Sequence, residues 1–217
     1  ASKLIRFLEI SVVTAGGFCC HRGGALGWDA GREEVDIPVM GVVIPGARAA
    51  VEATRNRKIG VVGTDATVQS GMYTKVIHEM APDVTVIEKA CPLFVPLVEE
   101  GFKEHVVTRE VIKYYLESMR DTDIDAMILG CTHYPLLRSK IRDYLGEKIQ
   151  IVNPAYETAM DLKELLREQN MENGGATLEH SRYAFYVSDA AEKFRMFANT
   201  VMPFDVPTTN VVNIEEY

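Results

Sequence analysis

The feature of this sequence that most constrains its fold is the alternation of short apolar runs with segments of helical period. Buried strands are predicted at residues 58–64, 83–88, 125–130 and 148–153. Helices are predicted at residues 70–80, 135–145 and 157–168, and on a further segment where Val107, Val111, Tyr115 and Met119 form one apolar face. Such alternation is typical of a parallel sheet covered by helices, so the expected fold class is α/β.

The two end regions carry weaker signals. Residues 169–180 predict a polar connection, residues 183–188 a strand and residues 190–198 a short helix, whereas the prolines in residues 203–217 disfavour a helix there. The segment from Gly16 to Gly31 holds six of the 16 glycines, which predicts a loop. A phosphate-binding loop is the alternative, but neither G-x-x-x-x-G-K-S/T nor G-x-G-x-x-G occurs in it.

Composition narrows the class of protein. The net charge of −8 disfavours nucleic acid or an anionic membrane as a partner. No apolar run approaches the roughly 20 residues that span a bilayer, and the first ten residues show no signal peptide. Four cysteines without a regular framework predict reduced thiols in a cytoplasmic protein. No Cys-x-x-Cys pair or His cluster occurs, so no metal is expected.

A cysteine stands where one predicted strand ends. Cys131 follows the apolar run 125–130, and ligands of parallel α/β sheets gather beyond the carboxyl ends of strands. Backbone N–H groups at the start of the next helix would favour its thiolate, and Thr132 and His133 could donate hydrogen bonds to a bound carboxylate. The alternative is that Cys131 is a small buried apolar residue and His133 is structural. The residues alone leave both interpretations open.

A second polar cluster follows the strand at residues 58–64. Thr64 and Thr67 are three residues apart before a helix, which suits either helix capping or anion binding. Cys91 is expected to pack in the interior. Glu99 beside an apolar stretch is either solvated or an acid with a raised pKa.

Four segments, read together, resemble a known family. They are DIPVMGVVIPGARAA (residues 36–50), GVVGTDATVQSGMY (60–73), ACPLFVPLVEEG (90–101) and LGCTHYPLL (129–137). In this order and spacing they resemble the glutamate racemases of the bacterial cell-wall pathway, within the aspartate/glutamate racemase superfamily. The resemblance implies two Rossmann-like lobes with mainly parallel sheets and the active site in the cleft between them. One lobe would comprise residues 44–153, and the other residues 1–43 with 154–217.

The resemblance also implies an activity. Such enzymes interconvert L-glutamate and D-glutamate without a cofactor or metal, and they supply D-glutamate for peptidoglycan. Two cysteines exchange the α-proton from opposite faces of the substrate. Residue by residue, Cys131 matches the second catalytic cysteine, Thr132 and His133 match a substrate-contact pair, and His133 would assist Cys131. Thr64 and Thr67 match further substrate contacts, and Glu99 matches an acid near the histidine. A cytoplasmic enzyme, with a homodimer as a candidate assembly, is expected.

The amino-terminal part departs from this pattern. The family's Asp-Ser-Gly and Tyr-Gly motifs are absent, and the chain is expected to lack the family's first segment. Cys20 stands where the first catalytic cysteine is expected, with Cys19 as a weaker candidate, but HRGGALGWDAG follows instead of Asn-Thr-Ala. Compensating reading-frame changes within residues 11–31 would explain this, since the match resumes near residue 36.

The departure motivates an alternative function, an inactive racemase-like fragment that binds glutamate or associates with partners. A hydrolase built on Cys131 and His133 is disfavoured, because no third group that orients the histidine is evident in the sequence.

Overall fold

The computed structural model describes residues 3, 7, 13, 15–18, 37–172 and 183–216. The chain forms two compact units, one of residues 14–165 and one of residues 1–13 with 166–217. The predicted lobes have other boundaries, at residues 43 and 153, and that division stays a prediction.

From residue 16 to residue 168 the described part alternates strands and helices. The elements are, in order, β1 (Gly16–Phe18), β2 (Val39–Gly41), α1 (Val43–Ala53), β3 (Lys58–Gly63), α2 (Asp65–Gln69), α3 (Met72–Met80), β4 (Thr85–Ala90), α4 (Phe94–Glu99), a 3₁₀ turn (Phe102–Glu104), α5 (Val106–Arg120), β5 (Ala126–Gly130), a 3₁₀ helix (Tyr134–Leu137), α6 (Arg138–Leu145), β6 (Gln150–Val152) and α7 (Pro154–Glu168).

A four-stranded parallel sheet organises the larger unit. Its strand order is β4-β3-β5-β6. The chain runs from β3 outward to β4 and then crosses to the other side of β3 to form β5, so the direction of winding reverses between β3 and β5. The predicted α/β class with parallel sheets is therefore confirmed.

The sheet is covered on both faces because side chains alternate along its strands. On one face, Ile59 and Val61 of β3 belong to a buried cluster that includes Ala47 of α1 and Ile77 of α3. On the other face Gly60 lies so close to α5 that a Cβ there would come within 2.9 Å of the Met119 side chain. Every residue of β5 is buried, as expected for a central strand covered on both sides.

The buried face of helix α5 differs from the predicted one. The structure buries Thr108, Ile112, Leu116 and Met119. Val107, predicted on the apolar face, is 44% exposed. The threonine can be buried because its hydroxyl donates a 2.6 Å hydrogen bond to the carbonyl oxygen of Phe102.

The start of the glycine-rich segment is a strand and not the predicted loop. Gly16–Phe18 form β1, which pairs in parallel with β2, instead of a loop. Pairing through the backbone does not depend on side chains: Gly16 N–H donates to Pro38 O at 2.9 Å. Residues 19–31 lie outside the described part of the chain.

The smaller unit contains β7 (Tyr186–Val187), α8 (Ala191–Val201), β8 (Asn210–Val211) and a 3₁₀ turn (Ile214–Glu216). β7 and β8 pair in parallel. The strand predicted at residues 183–188 and the helix predicted at 190–198 are both present, with shifted ends. No helix in the described part of the chain is long and apolar enough to cross a membrane.

Candidate active site

A pocket of about 520 Å³ lies in the larger unit, at the carboxyl ends of β3 and β5. Ligands of α/β sheets bind at the point where the winding reverses, and this pocket occupies that point. Its lining comes from the segment after β3, from the end of β5 and the segment that follows it, and from one residue of α4. The lining residues are Thr64, Asp65, Ala66, Thr67, Gln69, Val95, Gly130, Cys131, Thr132 and His133.

Paired glycines bring the two segments close together. Gly63 and Gly130 are the last residues of β3 and β5 and lie opposite each other in register. A Cβ on Gly130 would come within 2.8 Å of Val62 O, and one on Gly63 within 2.9 Å of Thr67 Cβ. The strand ends therefore approach at a distance that only glycine permits.

Cys131 follows β5 directly and lines the pocket while remaining only 8% exposed. Tyr134 N–H donates to Cys131 O at 3.2 Å, and this turn leads into the 3₁₀ helix Tyr134–Leu137, with Pro135 in its first turn. The predicted helix at residues 135–145 therefore starts as a 3₁₀ helix and continues as α6. Cys131 is thus largely buried and also lines the pocket, so both interpretations of it stay open.

His133 joins the cysteine to a carboxylate. Its Nδ1 lies 3.8 Å from Cys131 Sγ and 3.2 Å from Thr132 Oγ1. Its Nε2 lies 3.2 Å from Glu99 Oε1 at the end of α4. Glu99, which the resemblance alone placed near this histidine, is thus brought to it from a separate helix.

Thr64 caps a helix, and both Thr64 and Thr67 line the pocket, while anion binding by them stays a prediction. Thr64 is the N-cap of α2, and its Oγ1 accepts a 3.4 Å hydrogen bond from Thr67 N–H. Their hydroxyl oxygens are 3.1 Å apart, and both residues line the pocket. Capping thus fixes two hydroxyls at the edge of the pocket.

Cys91 lies behind the pocket, where burial raises its pKa to about 12. It is fully buried, as predicted. Its carbonyl oxygen accepts a 2.7 Å hydrogen bond from the hydroxyl of Tyr134. Phe94 packs edge-on against the Tyr134 ring at 5.1 Å between centroids. This cluster supports the turn that carries Cys131 and His133.

The structure brings together most of the predicted site. The predicted residues that line the pocket are Cys131, Thr132, His133, Thr64 and Thr67. Glu99 contacts His133. Cys20 and Cys19 lie outside the described residues. Sequence reasoning missed Val95, which gave no signal because an apolar side chain on a short helix is usually a core residue. Asp65 and Gln69 also line the pocket. They stand beside the two threonines in the sequence, but no function was predicted for them.

Comparison with known proteins identifies the family of this chain. Residues 16–161 match the model of the Asp/Glu/hydantoin racemase family. A glutamate racemase of Streptococcus equi subsp. equi is 38% identical over 197 residues, which are 91% of this chain and 74% of that protein.

Solved structures are similar over the whole chain. Glutamate racemase isoform RacE1 of Bacillus anthracis superimposes with a TM-score of 0.90 at 33% identity, covering 97% of this chain and 77% of that one. A glutamate racemase of Francisella tularensis, solved in complex with D-glutamate, has a TM-score of 0.90 at 29% identity and covers 100% of this chain and 80% of that one. This chain therefore belongs to the Asp/Glu/hydantoin racemase family, on its glutamate racemase branch.

Proposed function

We propose that this protein interconverts L-glutamate and D-glutamate by proton transfer at Cα, and so supplies D-glutamate for peptidoglycan. The observation that carries the proposal is the position of Cys131, at the pocket where β3 and β5 end and within reach of His133. The similarity to glutamate racemases over most of the chain supports the choice of substrate.

Cys131 is one of two bases. Inversion at Cα requires a proton to leave on one face and another to arrive on the opposite face, which a single base on one face cannot do. The Cys131 thiolate removes the α-proton from L-glutamate, and a second thiol returns a proton to the other face. Cys20 is the candidate for that second group. The roles exchange in the reverse reaction.

His133 and Glu99 assist Cys131. The Glu99 carboxylate accepts a hydrogen bond from His133 Nε2–H, which leaves Nδ1 facing the thiol at 3.8 Å. In this tautomer Nδ1 can take the thiol proton, and the negative charge of Glu99 stabilises the resulting imidazolium. This generates the thiolate, which is the form of cysteine that acts as a base.

Neutral donors bind the carboxylates of the substrate. Thr64, Thr67 and Thr132 place hydroxyl groups on the pocket. Removal of the α-proton moves negative charge toward the adjacent carboxylate, and a positioned donor at developing charge contributes roughly 3–4 kcal/mol.

The proposal includes the setting of the enzyme. It works in the cytoplasm, where its thiols stay reduced, as a homodimer, and its lobes comprise residues 44–153 and residues 1–43 with 154–217. Gel filtration with light scattering tests the dimer: the mass of a single 24.2 kDa chain at micromolar concentration would contradict it.

Circular dichroism of D-glutamate tests the activity. The wild-type protein is expected to remove the optical signal of D-glutamate, and Cys131→Ser is expected to abolish this. Cys91→Ala is the matched control, because Cys91 lies behind the pocket and is absent from its lining. Equal activity of Cys131→Ser and wild type would contradict the proposal. Calorimetric binding of glutamate without turnover would instead favour the inactive binding fragment.

A further inference from the structure

The contact between Glu99 and His133 depends on how two chain segments are held together. Glu99 is the last residue of α4, and His133 lies between β5 and the 3₁₀ helix Tyr134–Leu137. The side chain of Glu99 is 35% exposed, so water competes for its carboxylate. An ion pair that water reaches holds its own geometry only weakly. The 3.2 Å distance between these two side chains is therefore set by the backbone segments that carry them.

Tyr134 joins the same two segments. It follows His133 directly, and its hydroxyl donates a 2.7 Å hydrogen bond to the carbonyl oxygen of Cys91, just before α4. The N–H of Phe94, the first residue of α4, donates to that same oxygen at 3.1 Å. One carbonyl oxygen thus receives a donor from the start of α4 and another from the turn that carries His133.

The surroundings of Tyr134 suit it to hold this geometry. It is fully buried, and its ring packs edge-on against Phe94, which packs in turn against Tyr115 of α5 at 5.5 Å between centroids. Burial is the main cause of a pKa of Tyr134 far above the usual value for tyrosine. The hydroxyl therefore stays protonated, and remains a donor, at every pH at which activity would be assayed.

We propose that Tyr134 is a positioning residue, whose hydroxyl fixes the turn after β5 against the start of α4. It thereby keeps His133 within reach of both Glu99 and Cys131. The inference rests on the proposed function. Tyr134 is not among the residues that line the pocket, so it acts through His133 and not on the substrate. Such positioning matters because displacement of a reacting group by about 1 Å can lower a rate ~100-fold.

The expected effect of Tyr134→Phe is partial, because the two segments keep other contacts. The ring still packs against Phe94, and Lys140 of α6 still pairs at 2.6 Å with Glu104, which lies in the 3₁₀ turn after α4. Loss of the hydroxyl therefore displaces His133 slightly and does not unfold the site. The contribution of one hydrogen bond corresponds to roughly a 3- to 10-fold change in rate.

A purely structural role for Tyr134 predicts the opposite change at Cys131. Loosening of the core would expose Cys131, which is 8% exposed, and would speed its alkylation. Loss of positioning instead weakens the help that His133 gives to thiolate formation. Because the thiolate is the form that reacts, alkylation then becomes slower.

Alkylation of Cys131 by iodoacetamide at pH 7, followed by mass spectrometry of peptides, measures this difference without turnover. Tyr134→Phe is expected to slow the alkylation roughly 3- to 10-fold. Thr122→Val is the matched control, because it also removes a hydroxyl that donates to a backbone carbonyl, that of Met119 at 2.6 Å. Thr122 precedes β5, whose other end reaches the pocket, so this variant should react like the wild type.

Racemization kinetics give a second readout. Tyr134→Phe is expected to lower kcat by a similar factor and to leave KM nearly unchanged, because no group that lines the pocket is lost. In a Glu99→Gln background the same substitution is expected to change kcat by less than about 2-fold, because the contact that Tyr134 positions is already weakened.

Two results would overturn the inference. One is alkylation of Cys131 in Tyr134→Phe that is as fast as in the wild type or faster. The other is an equal loss of kcat when Tyr134→Phe is made in the wild type and in Glu99→Gln. Absence of racemization by the wild type would contradict the proposed function alone, because the alkylation rates still decide whether Tyr134 supports thiolate formation.

Discussion

Substitution of Gly130 by alanine is the sharpest test of how the fold shapes the pocket. An added Cβ would lie 2.8 Å from Val62 O, about 0.6 Å short of the 3.4 Å at which ordinary contact begins. It would also come within 3.4 Å of Thr67 Cγ2 and of Tyr73 Cε2. The obstacle at 2.8 Å is backbone of the neighbouring strand, so β5 itself must shift.

The size of the effect follows from that shift. Overpacking of this kind costs about 1–3 kcal/mol. A loss of about 2 kcal/mol lowers the urea midpoint by roughly 1 M at a typical dependence on denaturant. Cys131 is the next residue along the chain, and displacement of a reacting group by about 1 Å can lower the rate ~100-fold. Gly130→Ala is therefore expected to lose activity even in urea-free buffer, where it remains folded.

Urea unfolding followed by circular dichroism measures the first effect, and the racemization assay measures the second. Gly17→Ala is the control for stability, because a Cβ there meets nothing within 4 Å. It should change the midpoint by less than about 0.3 M. Equal midpoints for the two variants, with full activity of Gly130→Ala, would refute the close approach of β3 and β5.

Three further predictions concern groups outside the pocket lining. Tyr134→Phe removes one of two donors to the buried carbonyl of Cys91, the other being Phe94 N–H at 3.1 Å, and should cost about 0.5–1.5 kcal/mol in unfolding free energy. Tyr114→Phe, at an exposed ring, should cost less than about 0.5 kcal/mol. Cys91 should resist iodoacetamide at pH 8 when peptides are mapped by mass spectrometry, because that pH is about four units below its pKa of about 12 and the side chain is buried. Burial opposes ionisation of Asp125, but hydrogen bonds from Thr54 and two backbone N–H groups lower its pKa overall. Its stabilising effect is present above the unfolded-state pKa, so the difference in Tm between wild type and Asp125→Asn should shrink as pH falls below about 4.

The central sheet was predictable because each strand is a local signal. Apolar runs such as residues 125–130 must be covered on both faces, and their alternation with helices leaves few arrangements other than a parallel sheet. The same rule places Cys131 and Thr64 at one edge, since both follow the carboxyl ends of parallel strands. Cys131 and Thr64 line one pocket only because β3 and β5 are neighbours in the sheet. The order of strands in a sheet does not follow from the secondary-structure propensity of each strand.

Features that depend on contacts between residues distant in the sequence were harder to predict. The contact between Glu99 and His133 joins α4 to the segment after β5, and only the resemblance suggested it. The prediction of the buried face of α5 was wrong because it counted only apolar residues. It therefore left out Thr108, whose hydroxyl donates a hydrogen bond to the carbonyl oxygen of Phe102. Val95, the lining residue that α4 contributes, looks like any core valine in the sequence.

Racemization of L-glutamate in heavy water, followed by mass spectrometry of both enantiomers at early times, tests the central claim most directly. Two facing bases predict one deuterium at Cα of each D-glutamate formed, little deuterium in the recovered L-glutamate, and neither product nor exchange in Cys131→Ser. D-glutamate formed without deuterium, or exchange that persists undiminished in Cys131→Ser, would contradict the assignment of Cys131 as the base.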